Sequence, residues 1–139
     1  MPASKTKETP THAEYAQAAA LREALRAFQR RTDVVTAANG LTSRTYQLLL
    51  MIKTARAGSE QAGLTELEER LQLGKSTVTE LVQRSEKRGL VRRELDRNRP
   101  GAISIRLTRA GERRLANALA ELGDERRRLI KILSKLAAR

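Results

Sequence analysis

The sequence contains no cysteine and only one histidine, and these scarcities exclude several classes of function. Without cysteine the chain has no disulfide, thiolate metal site, cysteine nucleophile or thiol redox sensor. The single histidine, His12, lies in a polar N-terminal segment, where an exposed side chain is the expected state. We therefore predict no metal and no other cofactor.

Long apolar runs and aromatic residues are also scarce. The longest strongly apolar run, Leu48 to Ile52, is far too short to span a bilayer. The first residues carry charge with no apolar segment after them, unlike a signal peptide. A membrane is therefore not an expected partner, and the expected location is the cytoplasm, in association with the nucleoid if the partner is DNA.

Positive charge is what the chain has in excess. Its 28 basic and 16 acidic residues give a net charge of +12. The segment from Arg84 to Arg114 alone contains 11 basic and 4 acidic residues. Such a charge favours a polyanionic partner, with nucleic acid ahead of an anionic membrane surface. Its concentration in one segment favours a defined binding surface over general solvation.

The string LGKST at residues 73–77 resembles the end of a phosphate-binding loop. The full pattern needs a further glycine five positions before Gly74, and that position is Glu69 in a helical context. No Ser-His or Cys-His pair is present, and the carboxylates crowded at Glu66, Glu68 and Glu69 have no evident partner. An enzyme is therefore not expected.

Capping signals and apolar spacing predict helices in the first half of the chain. Residues 1–10 are polar and predict a disordered tail. Thr11 and Glu14 form a capping box for a long helix that ends near Ala38. A second helix, apolar almost all round and hence buried, is expected from about 42 to 56.

The middle of the chain predicts a helix-turn-helix followed by a hairpin. A capping box of Thr65 and Glu68 opens a short helix to residue 71, and after a tight break a further helix runs over 75–88. Alternating apolar residues then flank the turn-forming string DRNRPG, and Thr108 caps the next helix. The prediction is a mainly α fold with a small β-hairpin wing: a winged helix-turn-helix DNA-binding region at 41–113.

The second helix of this motif has two chemically different faces. With Val78 directed toward the core, Leu81, Val82 and Ser85 fall on the same side at about 100° per residue. Short hydroxyls, an amide and cations lie outward, where they can donate to phosphates and to base edges. An ordinary solvated helix face is the alternative. The DNA-binding candidates are Lys75, Ser76, Thr77, Thr79, Gln83 and Arg84 on the helix, with Arg97 and Arg99 at the wing.

Residues 64–111 resemble the DNA-binding region of the MarR-type bacterial transcriptional regulators. The matching features are Leu64-Thr65, the Ser76–Thr79 string, Gly89-Leu90-Val91 and the closing Leu107-Thr108 with Gly111, while 41–52 resembles the family's preceding helix. The resemblance implies a homodimer that binds a palindromic operator, usually as a repressor, and is often released by a small aromatic ligand or by oxidation. The missing cysteine excludes thiol oxidation here.

Four departures from the family pattern affect these expectations, one of them an interval from Thr108 to the final helix that is shorter than is typical and that bears on the dimer geometry. Ser85 stands where the family usually has an apolar residue, so looser packing of the helix is expected. Glu80 replaces a commonly basic residue. The family's Asp-x-Arg wing pattern fits only with a shift, so the choice between Arg97 and Arg99 stays open.

Apolar stripes bracket the predicted DNA-binding region. They lie in the segments 11–40 and 114–139, and they either cover this chain's own core or form a homodimer interface. The candidate interface residues are Leu21, Leu25, Phe28 and Val35, with Leu129, Ile132, Leu133 and Leu136.

The effector and the mode of DNA binding are less closely defined by the sequence. For a small-molecule effector, Tyr46 is a weak candidate pocket wall, with ordinary core packing as the alternative. The predicted function is sequence-specific transcriptional regulation, and the rival is an architectural, nucleoid-type DNA-binding protein with little sequence preference.

Overall fold

The computed structural model describes residues 8–96 and 98–138, and it confirms a mainly helical chain with one hairpin. The elements are α1 His12–Ala38, α2 Ser43–Lys53, a 3₁₀ turn Arg56–Gly58, α3 Leu64–Leu71, α4 Lys75–Lys87, β1 Val91–Leu95, β2 Ile103–Leu107, α5 Arg109–Glu121 and α6 Gly123–Ala137. They fall into two compact units, Thr32–Leu122 and the combination of Met1–Arg31 with Gly123–Arg139.

The core of the Thr32–Leu122 unit surrounds α2. Leu48, Leu49 and Ile52 of this helix are each 0% exposed, as its almost continuous apolar sequence predicts. Fully buried side chains from the other elements complete the core: Leu67, Val78, Val82, Leu90 and Ile105.

This unit extends past the predicted 41–113 region at both ends. At the end of α1, Val35 is 2% exposed, and Thr36 is 0% exposed with its hydroxyl donating to the Thr32 carbonyl at 2.8 Å. In α5, Leu115 and Ala118 are 4% and 0% exposed. Both helix segments are therefore part of the core that supports the hairpin. Val35 is buried within its own chain and cannot contact a second subunit, so its prediction as an interface residue is wrong.

Two predicted helix boundaries are wrong for local reasons. α2 ends at Lys53 rather than near residue 56, because the chain turns at Thr54 and Ala57 takes a left-handed φ of 59°. α3 begins at Leu64 with Gly63 as its N-cap, so Thr65 lies inside the helix and cannot be half of a capping box.

Two other predicted caps are confirmed. The Glu14 N–H donates to Thr11 Oγ1 at 3.2 Å, and the Gly111 N–H donates to Thr108 Oγ1 at 3.1 Å. In each case the hydroxyl accepts from a helix N–H that has no partner within its own helix.

A β-bridge of one residue pair joins the hairpin to the segment before α3. β1 and β2 are antiparallel, in a register that pairs Val91 with Leu107 and Leu95 with Ile103. On the other side of β2, Ala62 exchanges backbone hydrogen bonds of 3.0 and 2.8 Å with Ile105. The connection between α2 and α3 therefore fixes the base of the hairpin.

In the second unit, the N-terminal part of α1 contacts α6. The Gln17 side-chain amide donates to the Leu136 carbonyl at 3.0 Å. Leu21 and Leu25 remain 37% and 38% exposed, and of this unit's described residues only Gly123 is buried. These amphipathic helices thus enclose no core of their own. Across residues 8–96 and 98–138, no helix has both the length and the hydrophobicity needed to cross a membrane.

Candidate nucleic-acid interface

The turn between α3 and α4 depends on one left-handed residue. Gln72 takes φ 56° and ψ 44°, and the next N–H, that of Leu73, donates to the Glu68 carbonyl at 3.3 Å. The Gln72 side chain also donates to the Glu69 carbonyl at 2.7 Å. Gly74, the glycine of the string LGKST, has an ordinary extended conformation and serves as the N-cap of α4.

The inward face of α4 is fully packed. Val78 and Val82 are 0% exposed, Leu81 is 4% exposed and Ser85 is 1% exposed. The Ser85 hydroxyl donates to the Leu81 carbonyl at 2.8 Å, so its polar group is satisfied inside the core. Burial of Ser85 is as complete as that of its apolar neighbours, and the looser packing expected at this position stays a prediction.

The outward face of α4 carries the predicted hydrogen-bond donors. Lys75, Ser76, Gln83 and Arg84 are exposed, and the side chains of Thr77 and Thr79 are partly exposed. At the start of the helix, backbone N–H groups without helical partners and the helix dipole favour an anion.

Glu80 does not hold Arg84 in place. The two side chains approach to 3.9 Å and are 70% and 73% exposed. An exposed pair with this spacing contributes little, so the Arg84 guanidinium remains able to turn toward a phosphate.

A tight turn presents Arg99 at the wing tip. The Ala102 N–H donates to the Arg99 carbonyl at 3.0 Å, and Gly101 has φ +81°, which together with Pro100 matches a type II turn. Arg99 is exposed. Arg97, the other predicted wing contact, lies outside the described residues.

Several basic residues of the 84–114 segment are engaged within the protein. Arg88 Nη2 and Arg114 Nη1 donate to the same carbonyl, that of Gly40, at 2.5 and 3.1 Å. Arg92 pairs with Glu94 at 2.7 Å. The charge surplus of this segment thus contains structural arginines as well as outward-facing ones, and the sequence carried no signal that would separate the two groups.

Carboxylates hold the base of the wing and its neighbouring loop. Hydrogen bonds from Arg92 and Gln61 lower the pKa of Glu94. Lys53 bridges Glu60 at 2.5 Å and Glu112 at 3.0 Å, which raises the pKa of Lys53 and lowers that of Glu60. These bonds fasten the loop just before Ala62, the residue that pairs with β2.

Two of the carboxylates crowded on α3, Glu66 and Glu69, are used in ion pairs. Glu69 pairs with Arg56 at 2.7 Å, while Glu66 accepts from the Arg56 backbone N–H at 3.0 Å and lies 3.4 Å from Arg70. In the part of the chain that the structure describes, no three His, Cys, Asp or Glu residues are grouped to hold a metal ion. Tyr46 is 8% exposed and packs in the core.

The MarR family model matches residues 39–99, from just after α1 to the wing tip. No curated protein matches the sequence significantly.

Solved structures of MarR family proteins match the fold at low sequence identity. AbsC from Streptomyces coelicolor superposes with a TM-score of 0.76 at 20% identity, covering 91% of this chain and 84% of AbsC. Sco3205 from the same organism, solved in complex with DNA, gives 0.74 at 22% identity, covering 91% and 79%. A cysteine-to-serine variant of MarR from E. coli, complexed with operator DNA, gives 0.67 at 18% identity, covering 88% and 86%. At these identities the superpositions establish the shared fold.

Proposed function

Because the MarR family model matches residues 39–99 of this chain, we propose that the protein is a sequence-specific DNA-binding transcriptional regulator. It acts as a homodimeric repressor of a palindromic operator, in the cytoplasm and on the nucleoid. Residues 41–113, supported by the end of α1 and by α5, form the DNA-binding region, and the segments 11–31 and 123–139 provide the dimer contacts. Two of the structural relatives were solved with DNA, one of them with operator DNA.

The observation that carries this proposal is the separation of the two faces of α4. Its apolar side chains and Ser85 are buried, whereas the amide of Gln83, the Ser76 hydroxyl and the cations Lys75 and Arg84 are exposed. A helix with this face can enter the major groove, where amide and guanidinium groups read base edges. The exposed Arg99 at the wing tip adds a cation for flanking phosphate or the minor groove.

The proposal is tested by selecting bound sites from a random duplex library. The selection is made at about 150 mM salt, so that charge alone retains little DNA. Enrichment of an inverted repeat with half-sites about one helical turn apart is the expected result. Retention of DNA without an enriched motif would replace it with the architectural alternative, in which the surplus charge dominates binding.

Two substitutions separate base reading from charge. Gln83→Ala should cost about 1–3 kcal/mol on the selected site and relax preference at one base step, because the side-chain amide can bond an adenine edge. Arg99→Ala should weaken binding to every sequence alike and lower the salt slope by about one, because a single phosphate contact is lost. Equal, sequence-blind losses from both would show that α4 does not read bases.

The exposed apolar residues of the second unit support the homodimer. Leu21 and Leu25 are more than one-third exposed, and with Leu133 and Leu136 they belong to amphipathic helices that enclose no core. An open groove of 390 Å³ lies between these helices. Helices of this kind bury their apolar stripes against a further element, which the second subunit provides. The remaining proposed interface residues are Phe28, Leu129 and Ile132.

Sedimentation at micromolar concentration tests this interface. Leu133→Glu should produce a monomer, because dimer formation would bury an unpaired carboxylate at the interface. The monomer should remain folded, because Leu133 is only partly buried within its own chain. Val34→Glu, at a 55% exposed position in the Thr32–Leu122 unit, is the matched control and should remain a dimer. A monomeric parent protein would refute the dimer.

For a small-molecule effector, a cleft beside α4 is a better candidate site than the buried surroundings of Tyr46. Arg44, Arg84 and Arg88 line a space of 140 Å³ beside α4, together with the Thr42 hydroxyl. The volume suits a small carboxylate rather than a drug-sized ligand. Because Arg84 belongs to the proposed DNA face, occupancy should release DNA. Unchanged DNA affinity in millimolar benzoate or acetate would exclude effectors of this type.

A further inference from the structure

Two large aliphatic side chains near the wing tip face solvent. Leu95, the last residue of β1, is 73% exposed, and Ile103, the first residue of β2, is 53% exposed. The two are cross-strand partners, and such partners have Cβ atoms about 5 Å apart on one face of the sheet. They therefore form a continuous apolar area, here called the wing patch.

The other apolar residues of this sheet face are buried against the domain, while Arg93 on the same face is exposed. Val91 and Leu107 at its base are 2% and 6% exposed, and Ile105 is 1% exposed. The apolar side of the hairpin continues toward the tip as far as the wing patch. At the wing patch the core no longer covers the apolar side chains. A single exposed leucine needs no explanation, but a register-matched aliphatic pair beyond the core is an available contact surface.

The surroundings of the wing patch are cationic. Arg99 is exposed at the turn just beyond it. Arg93, two residues before Leu95 on the same face, is paired with Glu86 at 3.3 Å, so Arg99 is the cation this face presents near the patch. The hairpin also belongs to the segment Arg84–Arg114, with its 11 basic and 4 acidic residues. This charge is complementary to a polyanion, so the partner of the patch must combine anionic groups with apolar surface.

The DNA minor groove has both properties. Its edges are phosphates, its walls are deoxyribose carbons, and proteins insert aliphatic side chains there beside basic ones. We propose that Leu95 and Ile103 are an apolar minor-groove contact of the wing, packed against sugars and base edges next to the phosphates that Arg99 neutralises. The assignment rests on the proposed DNA-binding function and adds a contact that does not depend on charge. Because the guanine amino group projects into this groove, the wing patch should prefer A·T pairs.

Threonine substitutions test the wing patch without disturbing the strands. The double variant Leu95→Thr, Ile103→Thr keeps residues that favour strands but removes most of the apolar surface. On the duplex selected by the parent protein, it should bind about tenfold more weakly, as the loss of a few buried methyl groups implies. The slope of log Kd against log salt concentration should not change, because no charge is removed. Val34→Thr, at a 55% exposed position on α1, should bind as the parent does.

A base analogue tests the groove. Replacing guanine by inosine in the pairs that flank the α4 contact removes the minor-groove amino group and leaves the major-groove edge intact. The parent protein should gain affinity from this replacement, and the double variant should not.

Other results would overturn the assignment. Unchanged affinity of the double variant would show that the wing patch does not touch DNA. A reduced salt slope would show that the loss acts through the arginines, and a change in sedimentation would assign the patch to a second copy of the chain. If the parent protein retained no DNA at all, the proposed function itself would fail, which is a distinct outcome.

Discussion

Gly111 allows α5 to lie directly against the backbone of Leu90, and adding one methyl group tests this contact. A Cβ at Gly111 would lie 2.1 Å from the Leu90 carbonyl oxygen and 3.1 Å from its carbon. Since carbon–oxygen contacts are ordinarily about 3.3 Å or longer, α5 would have to move by about 1 Å. Leu90 is 0% exposed, and its carbonyl also accepts from the Thr108 N–H at 3.1 Å, so the Leu90 side cannot yield.

The expected cost follows from two opposing effects. Overpacking a rigid contact costs about 1–3 kcal/mol, with the upper end appropriate here because the clash is with backbone. The higher helix propensity of alanine returns at most about 1 kcal/mol. Gly111→Ala should therefore lower the free energy of unfolding by about 2 kcal/mol.

Urea unfolding at a fixed protein concentration measures this difference, since association would otherwise change the apparent stability. Ala116→Gly, at an exposed position of α5, calibrates the propensity difference and should cost about 1 kcal/mol. An alanine variant at 111 that is as stable as the parent, or more so, would refute the close approach of α5 to Leu90.

Three further substitutions test the N-cap of α5, the core around α2 and the ion pairs of Lys53 with Glu60 and Glu112. Thr108→Val should cost about 1–2 kcal/mol in urea unfolding because the helix cap is lost, and Thr108→Ser should restore most of it. Leu48→Ala, at a position 0% exposed in α2, should lower the free energy of unfolding by about 2–5 kcal/mol through the cavity it leaves. A decrease of less than about 1 kcal/mol, half of the lower value, would contradict the described core. Lys53→Met should lower the urea midpoint at neutral pH. Because the pKa of Glu60 is lowered from 4.5 and that of Lys53 is raised from 10.5, this difference should persist between those values. It should shrink as Glu60 is protonated at lower pH, and a pH-independent difference would exclude the ion pair as its cause.

The faces of α4 could be read from the sequence because they depend on helical period alone. Placing Val78 inward fixes the positions of Leu81 and Gln83 without knowledge of any other element. The Thr108 cap and the hairpin were equally predictable, since each depends on a hydroxyl or turn former within a few residues of its partner. The winged-helix order and the outward set of DNA-binding candidates follow from these local signals. The contacts of those candidates with DNA remain predictions.

Tertiary structure decided what local signals cannot encode. Arg88 and Arg114 both donate to the Gly40 carbonyl, although they lie far from it in the sequence, whereas the Arg84 side chain in the same basic segment approaches only Glu80, at 3.9 Å, and is 73% exposed. Composition treats these arginines alike, because only the folded chain determines which of them reaches an internal acceptor. Gln72 takes the left-handed conformation at the end of α3, which its residue type does not favour, while the glycine two positions later stays extended.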